Sequence, residues 1–261
     1  MKKAFTLAEV FSPHCAGRRK IAFTLAEVLI TLGIIGVVAA LTLPSLITKY
    51  QKKAAVNQLK AVYSILYNAF NMATIEHGSV EDWTILRDDL DKAQSSIEFV
   101  NKYLQPYIKN VEVYHSPRLK GCKNVTYKRM NGSVEPCDSV TGFCGTCLSG
   151  AGGNAMTQLH MANGSIVVVL TRFTDRAEIY IDTNGYKGPN TYGKDVFYLA
   201  LRKPSYAKSA CGLHQIATAF GNVCHTRAWT IQQGCNQNSQ WFCGELIIYD
   251  GWQIKDDYPW F

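Results

Sequence analysis

The segment FTLAEVLITLGIIGVVAALTLPSLI, residues 23–47, decides how this chain is organised. Its one ionisable residue is Glu27, and its 25 residues, at about 1.5 Å of helical rise each, can cross a hydrocarbon layer of about 30 Å. Five basic residues precede it: Lys2, Lys3, Arg18, Arg19 and Lys20. The positive-inside rule therefore predicts a single-pass membrane protein with a cytoplasmic N-terminus and an extracytoplasmic C-terminal domain.

A secretory signal peptide is the main alternative for this segment. The apolar run is longer than the 7 to 15 residues of a usual signal core, and Glu27 places a carboxylate inside it. Glu27 could simply extend its side chain to the headgroup region. If the chain were instead cut after Ala22, the free amine of Phe23 would lie one helical turn away, and an ammonium–carboxylate pair could fix the axial register of packed helices.

RRKIA followed by residues 23–47 resembles the prepilin leader and N-terminal helix of type IV pilins and pseudopilins. The resemblance implies that a prepilin peptidase cuts between Ala22 and Phe23 and that the new N-terminus is methylated. Glu27 becomes the fifth mature residue, the one that sets filament register. Pro44 matches a proline that kinks the helix in many of these proteins, and its ring should also bend or loosen any helix. Ala22 departs from the family's usual glycine.

The heptapeptide AFTLAEV occurs twice, at residues 4–10 and 22–28. Only the second copy continues into an apolar segment. The first is followed by Pro13, His14 and basic residues, which cannot continue a membrane helix. The second copy is therefore predicted to be the processing site, and the first a relic of a duplicated leader or an upstream start.

The cysteines predict an oxidising compartment. Apart from Cys15 in the leader, eight lie in loop-like sequence rich in Gly, Asn and Ser, an even number typical of a disulfide framework. These candidates are Cys122, Cys137, Cys144, Cys147, Cys211, Cys224, Cys235 and Cys243. Eight cysteines allow 105 pairings, so connectivity stays open. FCGTC also has the spacing of a redox dithiol or half a zinc site, but it is embedded in turn-forming residues, which favours structural disulfides.

The remaining sequence predicts an α+β fold with a long N-terminal helix packed on an antiparallel sheet. Four segments follow: a leader at 1–22, an apolar helix at 23–47, its amphipathic continuation at 48–78 and a globular domain at 79–261. The amphipathic part has apolar residues three and four positions apart: Val56, Leu59, Tyr63, Leu66, Phe70 and Ala73. Gly78 should end it. Lys49, Lys52 and Lys53 are expected near the outer headgroups.

Downstream, residues 79–120 are expected to be mostly helical or irregular, with a further helix before Pro106. Asn163-Gly164 between apolar runs predicts a hairpin. AEIYID and DVFYLAL extend this to a sheet of three or four strands, and the C-terminal LIIYDGWQIKDDYPWF is a candidate last strand.

The loop IDTNGYKGPNTYGKDVF places four hard oxygen donors around glycine turns: Asp182, Asn184, Asn190 and Asp195. Such donors suit calcium, although the spacing is not that of an EF-hand and the same residues favour tight turns. The stretch also resembles a loop in pilin-like proteins, some of which bind calcium. Calcium is therefore the candidate cofactor of this loop, and a plain structured loop is the alternative.

The resemblance implies a structural filament subunit rather than an enzyme. No HExxH, GxSxG or phosphate-binding loop occurs. Without its leader the chain has a net charge of only about +3, which gives no signal for nucleic-acid binding. The resemblance implies a type IV pilus-like or secretion pseudopilus subunit whose partners are its own copies, other pilin-like subunits, the peptidase and an inner-membrane assembly platform. The alternative is an extracytoplasmic binding protein or enzyme on a single membrane anchor.

Overall fold

The computed structural model describes residues 24–86, 92–115, 125–134, 156–205 and 225–259. The chain divides into two compact units, Met1–Ile47 and Thr48–Phe261. The described residues combine helices with one antiparallel sheet, so the predicted α+β class is confirmed.

Helix α1 spans Leu25–His77 and continues through Pro44. It ends where predicted, because Gly78 adopts a φ of +78°, a left-handed conformation that glycine reaches without steric cost. The indole of Trp83 donates to the Gly78 carbonyl over 3.0 Å. The predicted apolar stripe is buried except for Tyr63, which is half-buried.

The sheet has five strands in the order β1-β2-β3-β4-β5, each antiparallel to its neighbours. They are β1 Glu112–His115, β2 Thr157–His160, β3 Ile166–Leu170, β4 Arg176–Asp182 and β5 Val196–Arg202. Asn163-Gly164 turns the chain from β2 into β3, with Gly164 at φ +86°, so the hairpin prediction is confirmed. The expected three or four strands were too few, because β1 was missed: one exposed and three half-buried residues give too short an alternation to identify a strand.

Both faces of the sheet are covered, which produces two apolar clusters. One face, with Ile179 and Leu199, packs against the buried stripe of α1 and against α2, Lys92–Tyr103. The other face carries Tyr180 and Tyr198 and packs against aromatic residues of the C-terminal region. This double burial explains why β3 and β5 are apolar without alternation.

The C-terminal region is helical where a last strand was a candidate. A turn of α-helix at Arg227–Trp229 runs into a π-helical turn at Thr230–Gly234, and α3 follows at Cys243–Tyr249. The strand prediction was wrong because a short apolar run such as LIIY fits either structure. Here Leu246 and Ile247 are fully buried and α3 packs against β5.

Candidate functional site

The start of α1 is built around Glu27. The backbone N–H and the hydroxyl of Thr24 both donate to Glu27 Oε2 over 2.9 Å. In return the Glu27 N–H donates to Thr24 Oγ1 over 3.3 Å. This reciprocal pair is a capping box, and the T-x-x-E spacing could have revealed it in the sequence. Glu27 therefore has a local role as a helix cap. Ala22 and Phe23 lie outside the described residues.

The helix that follows is apolar and exposed. Within the described residues, α1 is long and apolar enough to cross a membrane, and its most apolar window is not buried. Exposed side chains include Leu29, Ile34 and Leu41. At Gly33 and Gly36 a Cβ would meet no heavy atom within 4 Å apart from the adjoining residues and the helix's own backbone. Length and composition thus fit a single-pass membrane anchor or a signal sequence.

The second candidate site is the loop between β4 and β5, which brings the four predicted oxygen donors into one cluster. Asp195 accepts from the backbone N–H groups of Thr191 over 2.6 Å and Asn190 over 2.8 Å. Its Oδ2 also lies 3.2 Å from Asn184 Nδ2. Asp182 accepts from the hydroxyl of Tyr127 over 2.8 Å and from the Asn184 N–H over 3.3 Å. These bonds fold the loop around its two carboxylates.

Neighbouring segments hold this loop in place. Gly185 packs so tightly on the β2-β3 turn that a Cβ would lie 2.6 Å from the carbonyl oxygen of Gly164. The hydroxyl of Tyr258 donates to the Gly193 carbonyl over 2.6 Å. Residues 125–134 run beside the loop, since the backbone N–H of Lys128 donates to the Asn190 carbonyl over 2.9 Å. The oxygen cluster is therefore part of a packed scaffold.

Both carboxylates are buried, and burial changes their protonation. Burial raises the pKa of Asp182 to about 7, and the charge of Asp195 adds to the effect, against opposing hydrogen bonds from Tyr127 and the loop backbone. Burial likewise raises the pKa of Asp195, against hydrogen bonds from Thr191, Asn190 and Asn184. The described ion pairs do not include either carboxylate. Two neighbouring buried acids outside the described ion pairs would be stabilised by a bound cation.

The cluster fits a hard cation in its donor chemistry. The amide oxygens of Asn184 and Asn190 are buried and accept no hydrogen bond in the described structure, and Asn190 is only 6% exposed. With the two carboxylates they offer the mixture of charged and neutral oxygens that calcium takes. Among the described residues no three His, Cys, Asp or Glu side chains converge, so a metal here would depend on amide oxygens. A cleft of about 390 Å³, lined by Asn184, Asp195 and Gln51 of α1, gives access.

One predicted disulfide is formed. Cys235 and Cys243 are bonded and fully buried, and they join the π-helical turn to the start of α3. The other six candidates lie outside the described residues.

Comparison with known proteins places most of the chain in one family. Residues 45–260 match DUF6613, a family of unknown function, and the chain belongs to it. The match begins after Pro44, so it covers only residues 45–47 of the apolar segment that carries the pilin resemblance. No curated protein and no solved structure matches the chain.

Proposed function

We propose that this DUF6613 member is a prepilin whose mature form is a structural subunit of a type IV pilus-like or pseudopilus filament. One observation carries the proposal: α1 combines an exposed, apolar half up to Ile47 with a half beyond Thr48 that is built into a folded domain. An exposed apolar helix must be covered by lipid or by other apolar helices. In a filament subunit, lipid would cover the apolar helix before assembly. The apolar helices of neighbouring subunits would cover it in the filament core.

Glu27 is the residue that would fix the position of each subunit. In the filament its charge would be removed from water, so it would need a cation. Cleavage after Ala22 supplies one, the amine of Phe23. The capping bonds from Thr24 leave Glu27 Oε1 available in the described structure, because both of them go to Oε2.

Three substitutions separate the charge of Glu27 from its capping role. Glu27→Ala removes both, and Glu27→Gln keeps a side chain that can close a capping box but has no charge. Thr24→Ala removes the cap and keeps the charge. We expect all three variants to be inserted and cleaved. Glu27→Ala and Glu27→Gln should be lost from sheared filament fractions, while Thr24→Ala is retained.

Full incorporation of Glu27→Gln would rule out the register role. The mature N-terminus tests the wider proposal: mass spectrometry should find a methylated Phe23 after loss of the leader. An intact leader, or a cut near Ala40, would instead favour the alternative of a binding protein or enzyme on a membrane anchor or behind a signal peptide.

We infer that calcium is a structural ion of the β4-β5 loop. Asp182, Asn184, Asn190 and Asp195 would hold it, and its charge would offset the cost of burying two carboxylates. The two buried amide oxygens without donors support this inference. Its role would be to stiffen the domain rather than to take part in a reaction.

A further inference from the structure

The charges of α1 are distributed very unevenly. From Val28 to Ile75 the helix contains no acidic residue, and its only charged side chains are Lys49, Lys52, Lys53 and Lys60. The first three fall within five residues, directly after the apolar segment ends at Ile47. We call these three the lysine collar.

The lysine collar presents its charges to the surroundings. Spacings of three and four residues place the side chains of Lys49, Lys52 and Lys53 on one side of the helix. Lys49 and Lys53 are exposed and Lys52 is half-buried. None of the three belongs to an ion pair within the described part of the chain. Tyr50, 74% exposed, stands among them, and tyrosine is enriched where a helix leaves the hydrocarbon layer.

The length of the apolar segment fixes the depth of the collar. Leu25–Ile47 spans about 34 Å of helix, slightly more than a hydrocarbon core of about 30 Å, and headgroups extend the bilayer to about 40–45 Å. A helix that fills the core with this segment brings the collar into the headgroup layer. Lys60 lies about 10 Å further along the helix than Lys53, beyond the headgroups.

We propose that the lysine collar binds the phosphate groups of acidic phospholipids in the leaflet next to the folded domain, and so sets the depth of α1 in the membrane. Phosphatidylglycerol is the lipid class expected. Its phosphate charge is uncompensated, whereas a choline or ethanolamine group offsets the phosphate of a zwitterionic lipid. Each lysine near such a surface contributes about 1 kcal/mol, or roughly five-fold in affinity. This inference rests on the membrane anchoring in the proposed function and not on filament assembly.

The test compares lipid preference in the full chain. Wild type and variants are reconstituted in phosphatidylcholine vesicles with trace spin-labelled phosphatidylglycerol or spin-labelled phosphatidylcholine. Electron paramagnetic resonance gives the relative association constant of the two lipids with the protein. The K49Q/K52Q/K53Q variant should lower the preference for phosphatidylglycerol by at least about five-fold, the contribution of one lysine, while Lys60→Gln leaves it unchanged. Basic residues of the leader are present in every sample, so they do not affect the difference.

Salt and phosphate controls define the ligand. The wild-type preference should weaken in 0.5 M NaCl, because exposed charges are screened. The preference for phosphatidylglycerol should persist in 10 mM inorganic phosphate at constant ionic strength. If phosphate abolished it, the ligand of the lysine collar would be free phosphate and the lipid assignment would be overturned. An unchanged preference in the triple variant, or an equal fall in Lys60→Gln, would also overturn it. Circular dichroism checks the fold of each variant, and none of these results depends on filament incorporation.

Discussion

Replacing Asp182 by Asn should reveal how the raised pKa of this buried carboxyl changes the stability of the domain with pH. Asn keeps an acceptor oxygen for the Tyr127 hydroxyl, has nearly the same volume and cannot ionise. The substitution therefore removes the titration of a fully buried carboxylate at nearly constant volume, and its amide oxygen can replace one of the two carboxylate oxygens, which accept from Tyr127 and from the Asn184 N–H. Asp256→Asn, the same chemical change at an exposed position, is the matched control.

The size and sign of the effect follow from the pKa. Burial raises the pKa of Asp182 from 3.8 to about 7 in the folded chain, so the folded state holds this proton more tightly than the unfolded state does. The resulting stabilisation is complete below about pH 4 and is lost as the pH rises through 7. Between pH 5 and pH 8 the metal-free wild type should lose about 3 kcal/mol of unfolding free energy relative to Asp182→Asn.

Guanidinium unfolding of the full chain in mild detergent, followed by tryptophan fluorescence, measures this difference. With a chelator present, the difference in unfolding free energy between wild type and Asp182→Asn should change with pH. The difference between wild type and Asp256→Asn should not. Adding calcium at pH 8 to about 100 times its dissociation constant should restore about 2.7 kcal/mol to the wild type and nothing to Asp182→Asn. A gap that does not vary between pH 5 and 8 would refute the reasoning about burial. Equal calcium effects in both proteins would refute the ion site.

Three other predictions concern the packing of the domain, all measured by the same unfolding assay. Leu66→Ala should cost about 2–5 kcal/mol, because Leu66 is fully buried between α1 and the sheet; a loss under about 1 kcal/mol would contradict this packing. Removing either partner of the buried ion pair Arg202–Glu245 should lower the unfolding free energy by about 3–5 kcal/mol, whereas changing both residues to Met should be nearly neutral. A double variant as unstable as the single variants would contradict this. Changing both Cys235 and Cys243 to Ser should lower the unfolding free energy by about 2.5 kcal/mol, because the disulfide closes a short loop in the unfolded chain. An unchanged unfolding free energy would show that this bond does not constrain the unfolded chain.

Local patterns in the sequence predicted α1, a helix before Pro106 and the β2-β3 turn. A run of apolar residues, the three-and-four spacing from Val56 to Ala73 and the glycine at 78 each depend on neighbours along the chain. For that reason α1, its buried stripe and its end were predicted correctly. Asn163-Gly164 specified a hairpin in the same local way. The resemblance in residues 23–47 suggested a filament subunit, which stays a prediction.

Contacts that no local pattern specifies could be decided only by the fold. A short apolar run such as LIIY is compatible with a strand or a helix, and packing against β5 selected the helix. Among the many cysteine pairings, tertiary structure brought Cys235 to Cys243. The sequence provided the oxygen donors of the β4-β5 loop. Their burial, and therefore the raised pKa of Asp182, comes from segments far away in sequence that exclude water around them. Desolvation depends on everything that surrounds a group in space, and a linear pattern does not contain that information.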